Sequence, residues 1–291
     1  MNYEEEKWDI IIKPRSKKYT LNLKEVWQYR DLLMLYVKRD IVTMYKQTIL
    51  GPLWFIIQPL MTTVMYMFVF GGIAGIATDG IPQPLFYMGG ILAWQYFGEC
   101  LGRASSTFTA NAGVFSKVYF PRLVVPYSGL LSSLVKLGIQ ILMIIAFYIY
   151  FLNQGADVAP TPFIFALPLL IIMLAGLGMG FGIIISSMTT KYRDLAIFFS
   201  FVTQLWMYAT PIIYPLSEVK SKLAEKGLAN YAWITELNPL TPIVEATRYA
   251  LYGVGTFTWQ SLAYSFVFML IIMTIGSFVF NKVERKFIDV V

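Results

Sequence analysis

The chain has no histidine, a single cysteine (Cys100) and few charges, which make up 14% of its 291 residues. The missing histidine removes the commonest general base near neutral pH and the commonest metal ligand. One cysteine excludes an intrachain disulfide. No G-x-x-x-x-G-K-[ST] run occurs, so this chain does not cradle ATP phosphates by a P-loop. Acids are nearly absent from the apolar runs, with Glu99 the exception. An intramembrane glycosyltransferase or an ion-coupled transporter would need carboxylates gathered at one depth, so both classes are disfavoured.

What is present is apolar surface. Hydrophobic residues make up 57% of the chain, whereas soluble domains carry roughly 25% charged residues. With several long uncharged stretches, this reads as an integral membrane protein. The net charge of +6 is no nucleic-acid signature, because the bases lie in the N-terminal tail and short loops. The first ~50 residues lack the apolar core and cleavage site of a secretory signal, so the first span is expected to act as an uncleaved insertion signal.

The expected fold is all-α and polytopic, with six transmembrane helices. A span needs about 20 mostly apolar residues. The runs are Gly51 to Ile73, Leu85 to Ser106, Leu123 to Leu152, Pro162 to Met188, Leu195 to Ile213 and Trp259 to Phe280. Basic connections alternate with acidic ones: Lys117 and Arg122 after span two, Lys191 and Arg193 after span four, but Asp79 and Asp157 after spans one and three. The positive-inside rule then puts both termini of this multi-pass protein in the cytoplasm. Residues 1–50 form a cytoplasmic tail and interface helix, and residues 51–291 form the six-span transmembrane domain. Between spans five and six the charges balance, and the sequence is too long and apolar for a simple loop. Short external helices that re-enter toward the membrane, broken at Pro239 and Pro242, are expected there.

From Glu25 to Thr48 there is neither proline nor glycine. At 100° per residue, Val26, Tyr29, Leu33, Tyr36, Val37, Ile41 and Met44 share one side. Arg30, Lys38, Arg39 and Lys46 share the other, and Asp40 breaks the pattern. An amphipathic helix in the membrane interface fits; so does a helix packed on a soluble partner or on the protein's own loops. Gly51-Pro52 would turn the chain from this helix into span one.

Three ionisable residues fall inside spans. Glu99 and Arg103 are one turn apart and able to pair. Lys136 lies about 20 Å into span three, where a lysine needs a partner or a polar path, and Glu99 is a candidate partner. The run GLGMGFG (Gly176 to Gly182) has no preceding strand and no following acid, so it is not a nucleotide loop. Small residues at helical spacing permit close helix packing in lipid.

Four blocks carry a family resemblance: YKQTILGPLWFIIQPL (Tyr45 to Leu60), VFSKVYFPRLVVP (Val114 to Pro126), YRDL (Tyr192 to Leu195) and LNPLTPIVEATRYALYG (Leu237 to Gly253). In this order they resemble permease subunits of ABC-2 type transporters, closest to the group exporting O-antigen, capsule or teichoic acid. The resemblance implies a homodimer served by two copies of a separate ABC ATPase, which would bind ATP and Mg; this chain would hold no cofactor or metal. It implies a lipid-linked polysaccharide as cargo, with an exporter of small hydrophobic compounds as the alternative. It makes Phe115, Lys117, Tyr119, Phe120, Pro121 and Arg122 the ATPase-coupling segment, the aromatics as buried anchors and the bases as polar rim. It makes Lys38, Arg39 and Lys46 a gate for the lipid phosphate. Because the family lines its pore with spans one and five, Trp54, Tyr66, Phe198, Phe201, Trp206 and Tyr208 become candidate channel-lining aromatics. A lipid-facing aromatic belt would explain the same residues.

Overall fold

The computed structural model describes residues 23–46, 48–115, 117–118 and 120–287. Twelve α-helices and no strands occur among them. They are α1 (Leu23–Gln28), α2 (Arg30–Tyr45), α3 (Trp54–Tyr66), α4 (Gln83–Ser105), α5 (Thr107–Phe115), α6 (Val124–Asn153), α7 (Leu167–Thr189), α8 (Leu195–Tyr208), α9 (Leu216–Glu225), α10 (Trp233–Glu236), α11 (Thr241–Tyr252) and α12 (Trp259–Phe287). A 3-10 turn, Gly51–Leu53, leads into α3, and a π-helical segment, Met67–Ile73, extends it. Gly51 sits at φ +51°, a left-handed conformation that glycine adopts without strain, and the chain bends there as expected.

Four helical stretches are long and apolar enough to cross a membrane: Gly51–Ile73, Val124–Asn153, Pro162–Thr189 and Trp259–Glu284. The other two expected spans differ for separate reasons. Helix α4 has the length, at 23 residues, but Gln83, Gln95, Glu99 and Arg103 dilute its apolar character. Helix α8 stops after 14 residues, about 21 Å of rise against a hydrocarbon layer of about 30 Å. Pro211 causes the stop, since proline disfavours helix at the residue before it.

The core is the sandwich of α7 between α4 and α12, and the GLGMGFG run builds it. A Cβ on Gly178 would lie 2.8 Å from the Phe97 carbonyl oxygen, and one on Gly182 would lie 2.7 Å from that of Leu101, both on α4. A Cβ on Gly180 would lie 2.7 Å from Ile272 Cγ2, and one on Gly176 would meet Met269, both on α12. The alternate glycines therefore let two backbones approach α7 from opposite sides, the close packing that small residues permit in lipid.

Between α8 and α12, α9 and α10 are half-buried to exposed, with Leu216 their one buried residue, but α11 is buried along ten of its twelve residues. It packs on α4, α7 and α12, so part of this segment does turn back into the bundle. Pro242 starts α11 at its first turn, and Gly253 ends it at φ +73°. The Tyr252 hydroxyl donates to the Leu85 carbonyl at 2.8 Å, tying the end of α11 to the start of α4.

Candidate functional site

A groove of about 1330 Å³ runs between α4 and α8, with Lys191 and Arg193 at one end. Helix α4 contributes Trp94, Gly98, Leu101, Gly102 and Ser105, and Phe108, Thr109 and Ala112 of α5 extend that wall. Helix α8 faces them with Ala196, Phe199, Ser200, Thr203, Gln204 and Met207. Thr189, Thr190, Lys191 and Arg193, from the end of α7 and the loop after it, close the basic end. Gly98 and Gly102 leave room: a Cβ on either would meet nothing within 4 Å. They are thus unlike the α7 glycines, though equally helical.

The groove exists because α8 is held at its far end and little elsewhere. Trp206 Nε1 donates to Asn238 Oδ1 at 3.0 Å, and Asn238 Nδ2 donates to Thr210 Oγ1 at 2.8 Å. The Tyr66 hydroxyl reaches Met207 Sδ at 3.5 Å, joining α3 to α8 at the same level. No residue of α8 itself is buried.

Beside the groove, α2, α4 and α6 share a chain of charges. Arg39 Nη2 lies 2.7 Å from Asp40 Oδ1, and Asp40 Oδ2 lies 3.1 Å from Arg103 Nη1. Arg103 Nη2 is 3.5 Å from Glu99 Oε1, whose Oε2 is 3.1 Å from Lys136 Nζ. One turn along both helices, Gln140 donates to Gln95 at 2.7 Å. All three intramembrane charges named from the sequence therefore meet, and Lys136 has the partner expected for it. Asp40, the charge that broke the α2 pattern, is explained by Arg103. A carboxylate between two bases offsets desolvation that would be prohibitive for a lone charge at this depth.

The apolar stripe of α2 faces protein, not an open boundary. Val26 and Tyr36 join a buried cluster with Phe108, Phe115, Phe120, Leu123 and Val124, and Tyr36 contacts Phe120 at a 6.0 Å ring separation. Burial raises the Tyr36 pKa above its ordinary value. Trp27, Met34, Leu35 and Tyr45 are the large hydrophobic side chains that α1 and α2 leave exposed among the described residues. Of the three bases named as a phosphate gate, Lys38 and Lys46 are exposed. The Arg39 guanidinium is held by Asp40 and lies 4.3 Å over the Tyr36 ring. None of the three lines the groove.

The coupling segment needs a correction. Phe115, Phe120 and Pro121 are buried within the subunit and so are not outward anchors. Arg122 is not a polar rim: it is 6% exposed, donates to the Glu284 carbonyl at 2.7 Å and lies 5.4 Å from the Phe115 ring centroid. Pro121 starts the turn into α6, its carbonyl accepting from the Val124 amide at 3.0 Å, and the segment folds inward into the cluster of Phe115, Phe120, Leu123 and Val124. Tyr119 lies outside the described residues. Lys117 and Val118 are exposed, and they continue an outward stripe of α5 made by Thr109, Ala110, Gly113 and Val114.

The six named aromatics are also placed differently. None of Trp54, Tyr66, Phe198, Phe201, Trp206 and Tyr208 lines the groove; Trp94, Phe108 and Phe199 do. Trp206 is packed edge-on against Phe97 and Phe181, and Tyr66 against Phe70 and Tyr87. Trp54, Phe198, Phe201 and Tyr208 are at least half exposed on the outer faces of α3 and α8.

Sequence reasoning missed one buried site. Glu245 and Arg248, each 2% exposed, pair at 2.8 Å inside α11. Arg248 also donates to the Ile212 carbonyl at 2.8 Å and lies 3.9 Å over the Phe86 ring, while Glu245 accepts from the Thr256 amide at 3.0 Å. The i,i+3 spacing within PIVEATRYAL was the available signal, but these residues had been counted only as balancing loop charge.

A bundle built on glycine-spaced helix contacts, with four helical stretches long and apolar enough to cross a membrane, is the build of a polytopic membrane protein. The family comparison makes this specific: residues 31–252 match the ABC-2 type transporter model, and the chain belongs to that family. Among curated proteins it is similar to an O-antigen export system permease protein RfbA of Klebsiella pneumoniae, at 28% identity over 89% of this chain and 95% of the relative. It is also similar to RfbA of Myxococcus xanthus, at 25% over 79% and 84%. The polysialic acid transport protein KpsM of Escherichia coli matches at 24% over 85% and 91%.

Proposed function

We propose that this chain is the permease subunit of an ATP-driven exporter that moves a lipid-linked polysaccharide of O-antigen type across the bacterial inner membrane. The observation that carries the reading is likeness, along nearly the whole chain, to permeases named for O-antigen and polysialic acid export. Those relatives do not favour an exporter of small hydrophobic compounds.

The working unit in this reading is a homodimer with two copies of a separate ATPase that binds ATP and Mg. Six membrane passes follow if α4 crosses inside the protein and α8 crosses with the turns after it. Both termini then face the cytoplasm. Helices α3 and α8, the most exposed of the apolar segments, supply the surface for the second copy, with Trp54, Phe198, Phe201 and Tyr208 toward it. Helix α2 lies at the cytoplasmic membrane interface, with Trp27, Met34 and Leu35 toward lipid and Lys38, Arg39 and Lys46 toward the headgroup phosphates of the surrounding bilayer. The outward stripe of α5 with Lys117 and Val118 docks the ATPase.

Deleting the gene and locating the glycan tests the reading. Polymer accumulating in the cytoplasm is the expected result, and normal surface glycan would contradict it. For the docking stripe, Val118→Asp should abolish co-purification of the ATPase from intact membranes while the permease stays folded; undiminished association would rule the stripe out.

A further inference from the structure

The walls of the α4–α8 groove have a donor–acceptor pattern that limits what fits. Their hydroxyls donate to their own helices: Ser105 to Gly102 at 2.9 Å, Thr109 to Ser106 at 3.2 Å, Thr190 to Ser186 at 2.8 Å and Thr203 to Phe199 at 2.8 Å. Each oxygen keeps lone pairs free to accept. A wall of acceptors suits a ligand rich in O–H donors, and a ligand with few such donors gains little from it. Trp94 and Phe199 also line the groove, and aromatic side chains are of the kind that cover sugar C–H surfaces.

Charge narrows the choice further. Lys191 and Arg193 stand at the basic end, and no Asp or Glu lines the groove among the described residues. The Tyr192 side chain beside Lys191 raises that lysine's pKa and keeps the ammonium charged. An anion is therefore favoured and a cationic amphiphile disfavoured. The volume of about 1330 Å³ exceeds the ~300–1,000 Å³ usual for a drug-sized ligand.

We propose that the α4–α8 groove is the binding site for a phosphate-headed saccharide lipid, with Lys191 and Arg193 taking the phosphate and the hydroxyl wall taking the sugars behind it. This rests on the export reading above and places headgroup recognition in the loop before α8, away from α2, where Arg39 is already engaged by Asp40. The phosphate contacts are charge-assisted and set the starting position; the acceptor wall is shallow and repetitive, which lets a chain slide.

The test uses the full-length permease with its ATPase, purified in detergent and titrated with three probes: a polyprenyl diphosphate, the matching polyprenol and phosphatidylglycerol. The intact protein should bind the diphosphate at least tenfold more tightly than either of the others. Lys191→Gln with Arg193→Gln should remove that advantage, while Lys38→Gln with Lys46→Gln should keep it. Unchanged diphosphate binding in the Lys191/Arg193 variant would overturn the proposal, as would phosphatidylglycerol competing equally, which would make the loop a general lipid-headgroup contact. Export in cells separates the two levels. If the wild-type complex exports glycan and the Lys191/Arg193 variant exports and binds equally well, this site is wrong and the export reading stands. If removing the permease leaves surface glycan unchanged, the export reading itself fails.

Discussion

Helices α7 and α8 follow one another in the chain and are both strongly apolar, yet their surroundings are opposite. In the most apolar stretch of α7, 61% of residues are buried, while α8 has no buried residue at all. Hydrophobicity does not separate them; side-chain size does. Helix α7 carries a glycine at every second position from Gly176 to Gly182, so α4 and α12 approach to backbone contact. Helix α8 carries no glycine and is pinned at its far end, where Trp206 bonds Asn238, so the space between it and α4 stays open. In lipid, where apolar surface gains nothing by hiding from apolar solvent, closeness of fit decides which helices associate. One side of the molecule is accordingly fixed, and the other is shaped around a space.

The largest predicted loss comes from the fixed side. Arg248→Met would strand Glu245 as an unpaired buried charge, a change that costs about 3–5 kcal/mol. It should collapse the monodisperse yield in detergent, and adding Glu245→Gln should recover most of it; no recovery would mean the pair is not what holds α11. Gly182→Val comes next. Its side chain would enter the Leu101 backbone, and overpacking of this kind costs roughly 1–3 kcal/mol, read as a lowered melting temperature.

The charge chain gives an asymmetric test. Glu99→Leu strands Lys136 and leaves Arg103 only Asp40, whereas Lys136→Leu leaves Glu99 still paired to Arg103. The glutamate variant should therefore melt lower, by a difference on the order of 1–2 kcal/mol. Equal losses would show that Arg103 does not back up the lysine. The smallest effect is expected at Arg39→Gln, because that guanidinium is half exposed and such pairs contribute about 0–1 kcal/mol.

Much of this was legible in the sequence, and the gaps have physical reasons. The α7 glycines and the Glu99–Lys136 pair could be read because each states a requirement of its own: a glycine run needs a close neighbour, and a lysine at depth needs a carboxylate. The stripe of α2 could be read, but not what covers it, since an apolar face is the same against lipid and against Phe120. Phe115 and Phe120 were assigned outward because a short loop offers no period from which to infer facing. The helix of the fifth apolar run stops at Tyr208, short of Ile213, because Pro211 ends it while the apolar sequence continues. The groove was invisible because it joins residues of α4 and α8 about a hundred positions apart, and only packing reveals which of their faces do not touch.

The central claim is that this open space, and not the packed core, carries the cargo. Gly98→Phe isolates it, because Gly98 lines the groove and a Cβ there meets nothing within 4 Å. The decisive measurement is surface glycan on cells expressing this variant at wild-type level and with wild-type melting temperature. Loss of surface glycan with polymer retained inside is the predicted result; full surface glycan from a folded Gly98→Phe permease would contradict the account.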